Sequence, residues 1–255
     1  MGDRRCLPLL RTRVGFERPH GCARESLSRT FHPRFETNLR RDRRGPAMSI
    51  EVYSDFVCPW CYIGHRRLKN ALADLSPDAR PKITWRAYQL DSKASNVPGQ
   101  TAAEAMLGWY SSVEEAETRI AQIISIGTDE GLDLNLHRAL PVNTFDAHRL
   151  THFAKGTMQT DMLRELIFRA YHSEGLNIAD LNVLAGIALE AGIEQAEARS
   201  FQQSDSFGDA VQQDLSRGSQ QGIRGVPNLV IDGGQPVSVN QKGLALGDLL
   251  RRTLH

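Results

Sequence analysis

A long run of helical patterns separates two β-prone segments of this sequence, and this order restricts the fold more than any other feature. From about residue 101 to 221, apolar side chains recur at the spacing of amphipathic helices. Helices are predicted at 101–109, 112–130, 143–156, 158–173, 179–191, 194–203 and 206–221. We therefore predict an α/β chain in which β-containing segments at both ends flank a large, all-α insert.

The segment before the insert has a strand, helix, strand pattern. β-prone residues at 50–57 precede a helical pattern that runs to Leu75, and residues 83–88 alternate as a second strand. One face of the helix is predicted to be buried: Cys61, His65, Leu68, Leu72 and Leu75. After the insert, the sequence predicts a strand at 226–231, a turn at 232–234, a returning strand at 236–239 and a helix at 244–254.

Charge divides the chain near Met48. The 255 residues carry a net charge of +1, but residues 1–47 hold 12 Arg, no Lys and 5 acidic residues, a net +7, which leaves −6 for the remainder. This leader has no helical or strand periodicity and lacks the apolar segment of a secretory signal. We expect residues 1–47 to be a disordered leader or a mis-assigned start, with Met48 as the true first residue.

Composition argues against two classes of protein. No stretch reaches the ~18 to 20 consecutive apolar residues of a membrane-spanning helix. The near-neutral total charge also argues against a dedicated nucleic-acid binder, whose phosphate contacts require a basic surplus. We therefore expect no membrane and no nucleic-acid partner.

Two cysteines lie where the first strand is followed by a helix, in the sequence Cys58-Pro59-Trp60-Cys61. A thiol at a helix start meets unpaired backbone N–H groups and the positive end of the helix dipole, which favour the thiolate. Proline suits the first helical turn, and two intervening residues let the sulfurs approach closely enough for a disulfide. We predict that Cys58 is the nucleophile and that Cys61, one turn deeper, is the resolving thiol.

Two other interpretations of this motif remain open. A purely structural disulfide is one, although a short ring at a helix start in an intracellular chain disfavours it. Half of a zinc site is the other, since Cys58, Cys61 and His65 are suitable ligand types, but no second ligand pair follows at zinc-site spacing.

Four motifs in order resemble the thioredoxin superfamily, and within it the DsbA-like FrnE branch. They are SDFVCPWCYIGHRRL at 54–68, NTFDAHRL at 143–150, LIFRAYHSEGLNI at 166–178 and GIRGVPNLVIDG at 222–233. The resemblance implies a thioredoxin-like domain made of residues 48–95 and 206–255, interrupted by an inserted helical domain at 96–205.

The resemblance also implies roles for residues outside the cysteine pair. Pro227 would follow a cis peptide bond and lie against the disulfide, as part of the catalytic site. The backbone of Val226 would be free to pair with an extended substrate. Trp60 and Pro59 are expected to contribute to substrate binding, with Trp60 supplying apolar area and a neutral N–H donor.

These features together predict a cytoplasmic thiol-disulfide oxidoreductase with no bound metal or organic cofactor. Its substrates would be protein or small-molecule disulfides, and glutathione or the thioredoxin system would act as reductant. Two alternatives are a glutathione-dependent isomerase or transferase of the 2-hydroxychromene-2-carboxylate isomerase type, and a non-enzymatic chaperone or metal-binding protein. Related isomerases typically have Ser where Cys58 stands, which favours redox exchange.

Other polar residues near these motifs have structural interpretations. His65 is equally compatible with tuning Cys61 and with a place in the core. For His148 and Arg149, packing or a salt bridge is favoured over catalysis because no partner is visible in the sequence. Asp55 is expected to cap the helix that follows it. Trp109 is expected in the core.

Overall fold

The computed structural model describes residues 48–157 and 159–238, which form a four-stranded sheet and eight α-helices. In chain order the elements are β1 (Ser49–Ser54), α1 (Pro59–Ala73), β2 (Lys82–Ala87), α2 (Ala102–Leu107), α3 (Val113–Asp129), α4 (Phe145–Phe153), α5 (Thr160–His172), α6 (Leu181–Glu190), α7 (Gln195–Gln202), α8 (Gly208–Gln220), β3 (Asn228–Ile231) and β4 (Val237–Ser238). The leader at 1–47 and the helix predicted at 244–254 lie outside the described residues. Among the residues that are described, no helix has the length and apolar character needed to cross a membrane.

The sheet joins strands from the two ends of the described chain. Its order is β2-β1-β3-β4, with β1 parallel to β2 and antiparallel to β3, and with β3 antiparallel to β4. Val52 of β1 is opposite Trp85 on one side and Leu229 on the other. This pairing confirms the predicted α/β class, with a helical insert between β-containing ends.

The helices lie close to their predicted bounds because capping residues define several of their starts. Thr101 and Glu104 form a reciprocal capping box at α2, Ser112 accepts from the Glu115 amide at α3, and Asp180 accepts from the Asn182 amide at α6. The strand predicted at 226–231 begins later, at Asn228. Pro227 has no N–H to donate to the ladder, which accounts for the later start.

Helix α1 links the sheet to the helical insert. Leu68 packs with Ile50, Val52 and Leu229 in a small core against the sheet. The amino-terminal half of α1 belongs to a larger core that continues into the insert. The predicted buried face is correct for Cys61, His65 and Leu68, whereas Leu72 and Leu75 are only half-buried. Packing against both sheet and insert also buries Tyr62 and Ile63, so the first turns of α1 are enclosed on more than one face.

Candidate active site

Cys58 occupies the residue that caps the start of α1. Its backbone is extended, with φ −88° and ψ 114°, and Pro59 follows at the first helical position. The Cys58 carbonyl accepts the Cys61 amide at 3.0 Å and the Tyr62 amide at 3.3 Å, and no side chain caps the helix. The Cys58 side chain therefore lies at the positive end of the α1 dipole.

Cys61 lies one turn into α1 and is the more deeply buried of the two thiols. Its exposed fraction is 1% against 5% for Cys58, and both are free thiols. The backbone amide of Asp55 points to the Cys61 sulfur at 3.5 Å. Burial raises the pKa of the Cys61 thiol well above its ordinary value, and the neighbouring Cys58 thiol raises it further. Cys61 is therefore a neutral thiol at neutral pH.

The loop before β3 faces this pair of thiols. The Val226–Pro227 peptide bond is cis, and the Cys58 thiol is 3.7 Å from the Val226 carbonyl oxygen. Pro227 lies beside α1, since a Cβ built on Gly64 would be 3.5 Å from the Pro227 Cγ. The Val226 carbonyl thus already has a partner in the dithiol form, in contrast to the free backbone that the resemblance implies.

Trp60 and Pro59 lie between the two cysteines and are both half-buried. The Trp60 ring packs against the larger core, and the Arg119 guanidinium carbon lies 5.2 Å from its centroid. Trp109 does not join the core: it is 72% exposed, so the expectation that it would be buried is wrong.

Asp55 and His148 form a buried polar pair beneath the first turn of α1. The prediction that Asp55 caps α1 is wrong. The Asp55 carboxylate instead accepts the Leu90 amide at 2.7 Å. The His148 Nε2 lies 2.9 Å from the Tyr88 carbonyl oxygen and 3.5 Å from Asp55 Oδ1. His148 therefore has partners that no local pattern indicates, because they are distant in sequence.

A second polar group, the Glu165 cluster, joins Glu165 of α5 to Tyr62, His65 and Arg66 of α1, and no sequence motif indicates it. The Tyr62 hydroxyl donates to Glu165 Oε1 at 2.8 Å, and Arg66 donates to the same oxygen at 2.7 Å. His65 Nδ1 lies 3.4 Å from Oε2, in contact but outside hydrogen-bond geometry. Burial lowers the pKa of His65 despite this carboxylate, so the imidazole is neutral at pH 7. Burial acts to raise the pKa of Glu165, but its contacts with His65, Tyr62 and Arg66 outweigh burial and lower that pKa to about 2.

Arg149 of α4 and His172 of α5 are also buried and have different surroundings. Arg149 donates to the Asp146 carboxylate and to the carbonyls of Ser204 and Ser206, which agrees with the predicted structural role. His172 is stacked among aromatic rings, and burial lowers its pKa to about 3. Neither of its ring nitrogens has a hydrogen-bond partner among the residues that the structure covers. Within that same part of the chain, no cluster of three or more His, Cys, Asp or Glu side chains is arranged to hold a metal ion.

Solved structures that are similar to this chain include two oxidoreductases and an isomerase. The probable DsbA oxidoreductase SCO1869 from Streptomyces coelicolor is 28% identical with a TM-score of 0.72, over 81% of this chain and 88% of that one. Two others share the fold at lower identity. The cytosolic disulfide reductase DsbM from Pseudomonas aeruginosa with GSH is 19% identical with a TM-score of 0.56, over 81% of this chain and 96% of that one. A 2-hydroxychromene-2-carboxylate isomerase is 15% identical with a TM-score of 0.59, over 80% and 95%.

A family model gives the same result from the sequence. The model described as DSBA-like thioredoxin domain matches residues 49–247, a range that includes Cys58, Cys61, the cis proline and every helix of the insert. The predicted thioredoxin-like fold with a helical insertion is thereby confirmed. The chain belongs to the DSBA-like thioredoxin domain family of oxidoreductases.

Proposed function

We propose that this protein is a thiol-disulfide oxidoreductase whose Cys58 and Cys61 cycle between dithiol and disulfide. The observation that carries the proposal is the placement of two free thiols at the start of α1, the first at the helix cap and the second one turn deeper. A helix start stabilises a developing thiolate on Cys58, while Cys61 stays protonated until it is needed.

In the reductive direction, the Cys58 thiolate attacks one sulfur of a substrate disulfide. A Cys58–substrate disulfide forms, the substrate S–S bond breaks, and the other substrate sulfur leaves as a thiolate that takes a proton. Cys61 then loses its proton and attacks the Cys58 sulfur. The Cys58–Cys61 disulfide forms and the second substrate thiol leaves, so two electrons pass from protein to substrate. Two molecules of a thiol reductant restore the dithiol, and the reverse sequence oxidises a dithiol substrate.

The residues around the dithiol have proposed supporting roles. Pro227 would shape the surface beside the sulfurs, since it lies against α1 at Gly64. As the mixed disulfide forms, the Val226 carbonyl would lose its contact with the Cys58 thiol. It would then accept a hydrogen bond from a backbone N–H of an extended substrate. Trp60 and Pro59, both half-buried, would supply apolar contact to that substrate.

We propose reduction or isomerisation of protein or small-molecule disulfides in the cytoplasm, with glutathione or the thioredoxin system as the reductant. The similarity in fold to a cytosolic disulfide reductase solved with GSH supports this direction. The assignment to the FrnE branch belongs to the same proposal and rests on the four motifs at 54–68, 143–150, 166–178 and 222–233. A cysteine at position 58, where related isomerases have Ser, favours exchange over glutathione-dependent isomerisation.

The test uses the full chain and three variants, Cys58→Ser, Cys61→Ser and Cys22→Ser, with oxidised glutathione and a disulfide-bonded protein as substrates. We expect Cys58→Ser to abolish exchange, because it removes the attacking thiol. Cys61→Ser should accumulate one glutathione on Cys58, seen by intact mass and peptide mapping, because the resolving thiol is gone. Cys22→Ser is the matched control and should react like the unmodified chain. Full exchange activity in Cys58→Ser would overturn the proposal.

A further inference from the structure

A groove of about 790 Å³ runs beside β2. Its floor is formed by β2, and its walls come from α1, the end of α4 and the start of α5. Neither Cys58 nor Cys61 lines it. This volume lies within the range of about 300 to 1,000 Å³ that is typical of small-molecule sites.

Arg164 projects into this groove from α5 and is buried, with 6% of its side chain exposed. Its guanidinium carbon lies 4.5 Å from the centroid of the Trp85 ring. Its one hydrogen bond to the described residues joins Nη1 to Asp161 at 3.2 Å, and the Asp161 side chain is 89% exposed. Burial lowers the pKa of Arg164 to about 10, since this single exposed carboxylate compensates poorly for the lost hydration.

Arg149 is a buried arginine with a structural role, and its hydrogen bonds can be compared with those of Arg164. It is as deeply buried as Arg164, yet three of its nitrogens donate to Asp146 and to the carbonyls of Ser204 and Ser206. A guanidinium has five N–H donors, and those of Arg164 beyond its Asp161 bond have no acceptor in the described part of the chain. Arg164 thus carries a desolvated charge and spare donors that face a cavity.

The charges around the groove have the sign that an anion needs. Lys69, Lys82 and Lys155 line it without a carboxylate partner among residues 48–157 and 159–238. The two acidic residues of the lining, Asp161 and Glu165, are already paired with arginines. An anion that enters the groove therefore meets unneutralised positive charge.

We propose that this groove is a binding site for a small acidic molecule, and that Arg164, stacked on Trp85, receives its carboxylate or phosphate group. The forked guanidinium matches either oxyanion through two parallel hydrogen bonds. The cation–π contact with Trp85 restrains the guanidinium before the ligand arrives. Exposed lysines at the rim attract the anion and contribute less to its affinity.

The experiment titrates the full-length protein with inorganic phosphate and, separately, with citrate, at constant ionic strength maintained with sodium chloride. The chain has three Trp residues, so the indole N–H signal of Trp85 is assigned by its absence in Trp85→Phe. Binding is followed by the shift of this NMR signal and by calorimetry. The variants are Arg164→Gln, Arg164→Met and, as matched control on the same helix, Arg169→Gln, which removes an exposed arginine paired with Glu174 and Glu190.

We expect phosphate, citrate or both to shift the Trp85 signal, and the more effective probe identifies the ligand's acidic group. Arg164→Gln should weaken binding by about tenfold or more, because charge-assisted hydrogen bonds are lost. Arg164→Met tests the same point if the glutamine variant folds poorly, since replacing an under-compensated buried charge with an apolar residue is neutral or stabilising.

Absence of any Trp85 shift at about 10 mM of both probes would overturn the proposal, because the dissociation constant would then lie above the millimolar range. Equal weakening in Arg169→Gln, or unchanged affinity in both Arg164 variants, would also overturn it. Cys58→Ser should bind the probes normally, so this outcome does not depend on the redox proposal.

Discussion

The Cys58 thiol and the Val226 carbonyl oxygen lie 3.7 Å apart although 168 residues separate them in sequence. The pairing of β1 with β3 holds them together, because β1 leads into the Cys58 cap and the Val226–Pro227 loop leads into β3. The candidate active site therefore depends on contacts between the two ends of the folded region.

The burial of Cys61 predicts a loss of stability at alkaline pH. Because folding raises the pKa of this thiol, its stabilising contribution is complete below the unfolded-state pKa of about 8.5 and decreases as the pH rises above it. The expected slope is about 1.4 kcal/mol per pH unit between the unfolded and folded pKa values. Denaturant unfolding of the reduced protein between pH 7 and about 10 measures it. The Cys61→Ala variant should lack this component, and identical slopes in the two proteins would contradict the account.

The Glu165 cluster predicts a loss of stability in acid. Folding lowers the pKa of Glu165, so its contribution is present above the unfolded-state pKa of about 4.3 and is lost as the pH falls to about 2. Glu165→Gln should flatten this part of the pH profile and cost about 1 kcal/mol at pH 7, a value discounted for partial solvent screening. Chemical denaturation from pH 7 to about 2 tests it. Glu190→Gln, at the surface pair with Arg169, is the control and should keep the acid slope.

The Asp55 carboxylate is buried and should contribute to stability through its hydrogen bond with the Leu90 amide and its contact with His148. Asp55→Ala leaves the Leu90 amide without its acceptor and removes the carboxylate that lies 3.5 Å from the His148 ring, so we expect a loss of about 2 to 3 kcal/mol. Asp55→Asn keeps an acceptor for Leu90 and should cost about 1 kcal/mol. Asp91→Ala is an exposed control and should change the unfolding free energy by less than about 0.5 kcal/mol. Equal effects of the two alanine variants would refute the importance of the buried pair.

Two glycines should respond oppositely to replacement by alanine. Gly175 has a φ of +69°, and a Cβ there would lie 2.6 Å from the Arg138 carbonyl oxygen. Left-handed backbone strain and this clash should together cost about 2 to 4 kcal/mol in Gly175→Ala. Gly186 is exposed within α6 and has open space around it, so Gly186→Ala should stabilise by up to about 1 kcal/mol. Thermal and denaturant unfolding of the two variants provide the comparison.

The local parts of this structure could be predicted from sequence, and the long-range polar contacts could not. Apolar periodicity and caps such as Asp180 are properties of neighbouring residues, and they located the helices and the dithiol at the start of α1. The Asp55–His148 contact and the partners of Glu165 join residues far apart in the chain, and single-sequence patterns carry no signal for such pairs. Trp109 differs from its prediction because an aromatic residue on a helical pattern is usually buried, whereas this one follows the end of α2.

The most direct test of the redox account is the state of Cys58 and Cys61 at equilibrium with glutathione. The full chain is incubated over graded ratios of reduced to oxidised glutathione, free thiols are blocked, and the peptide that carries both residues is analysed by mass spectrometry. The account predicts that this peptide converts reversibly between a dithiol and an internal Cys58–Cys61 disulfide. A peptide that remains a dithiol at every ratio would contradict it.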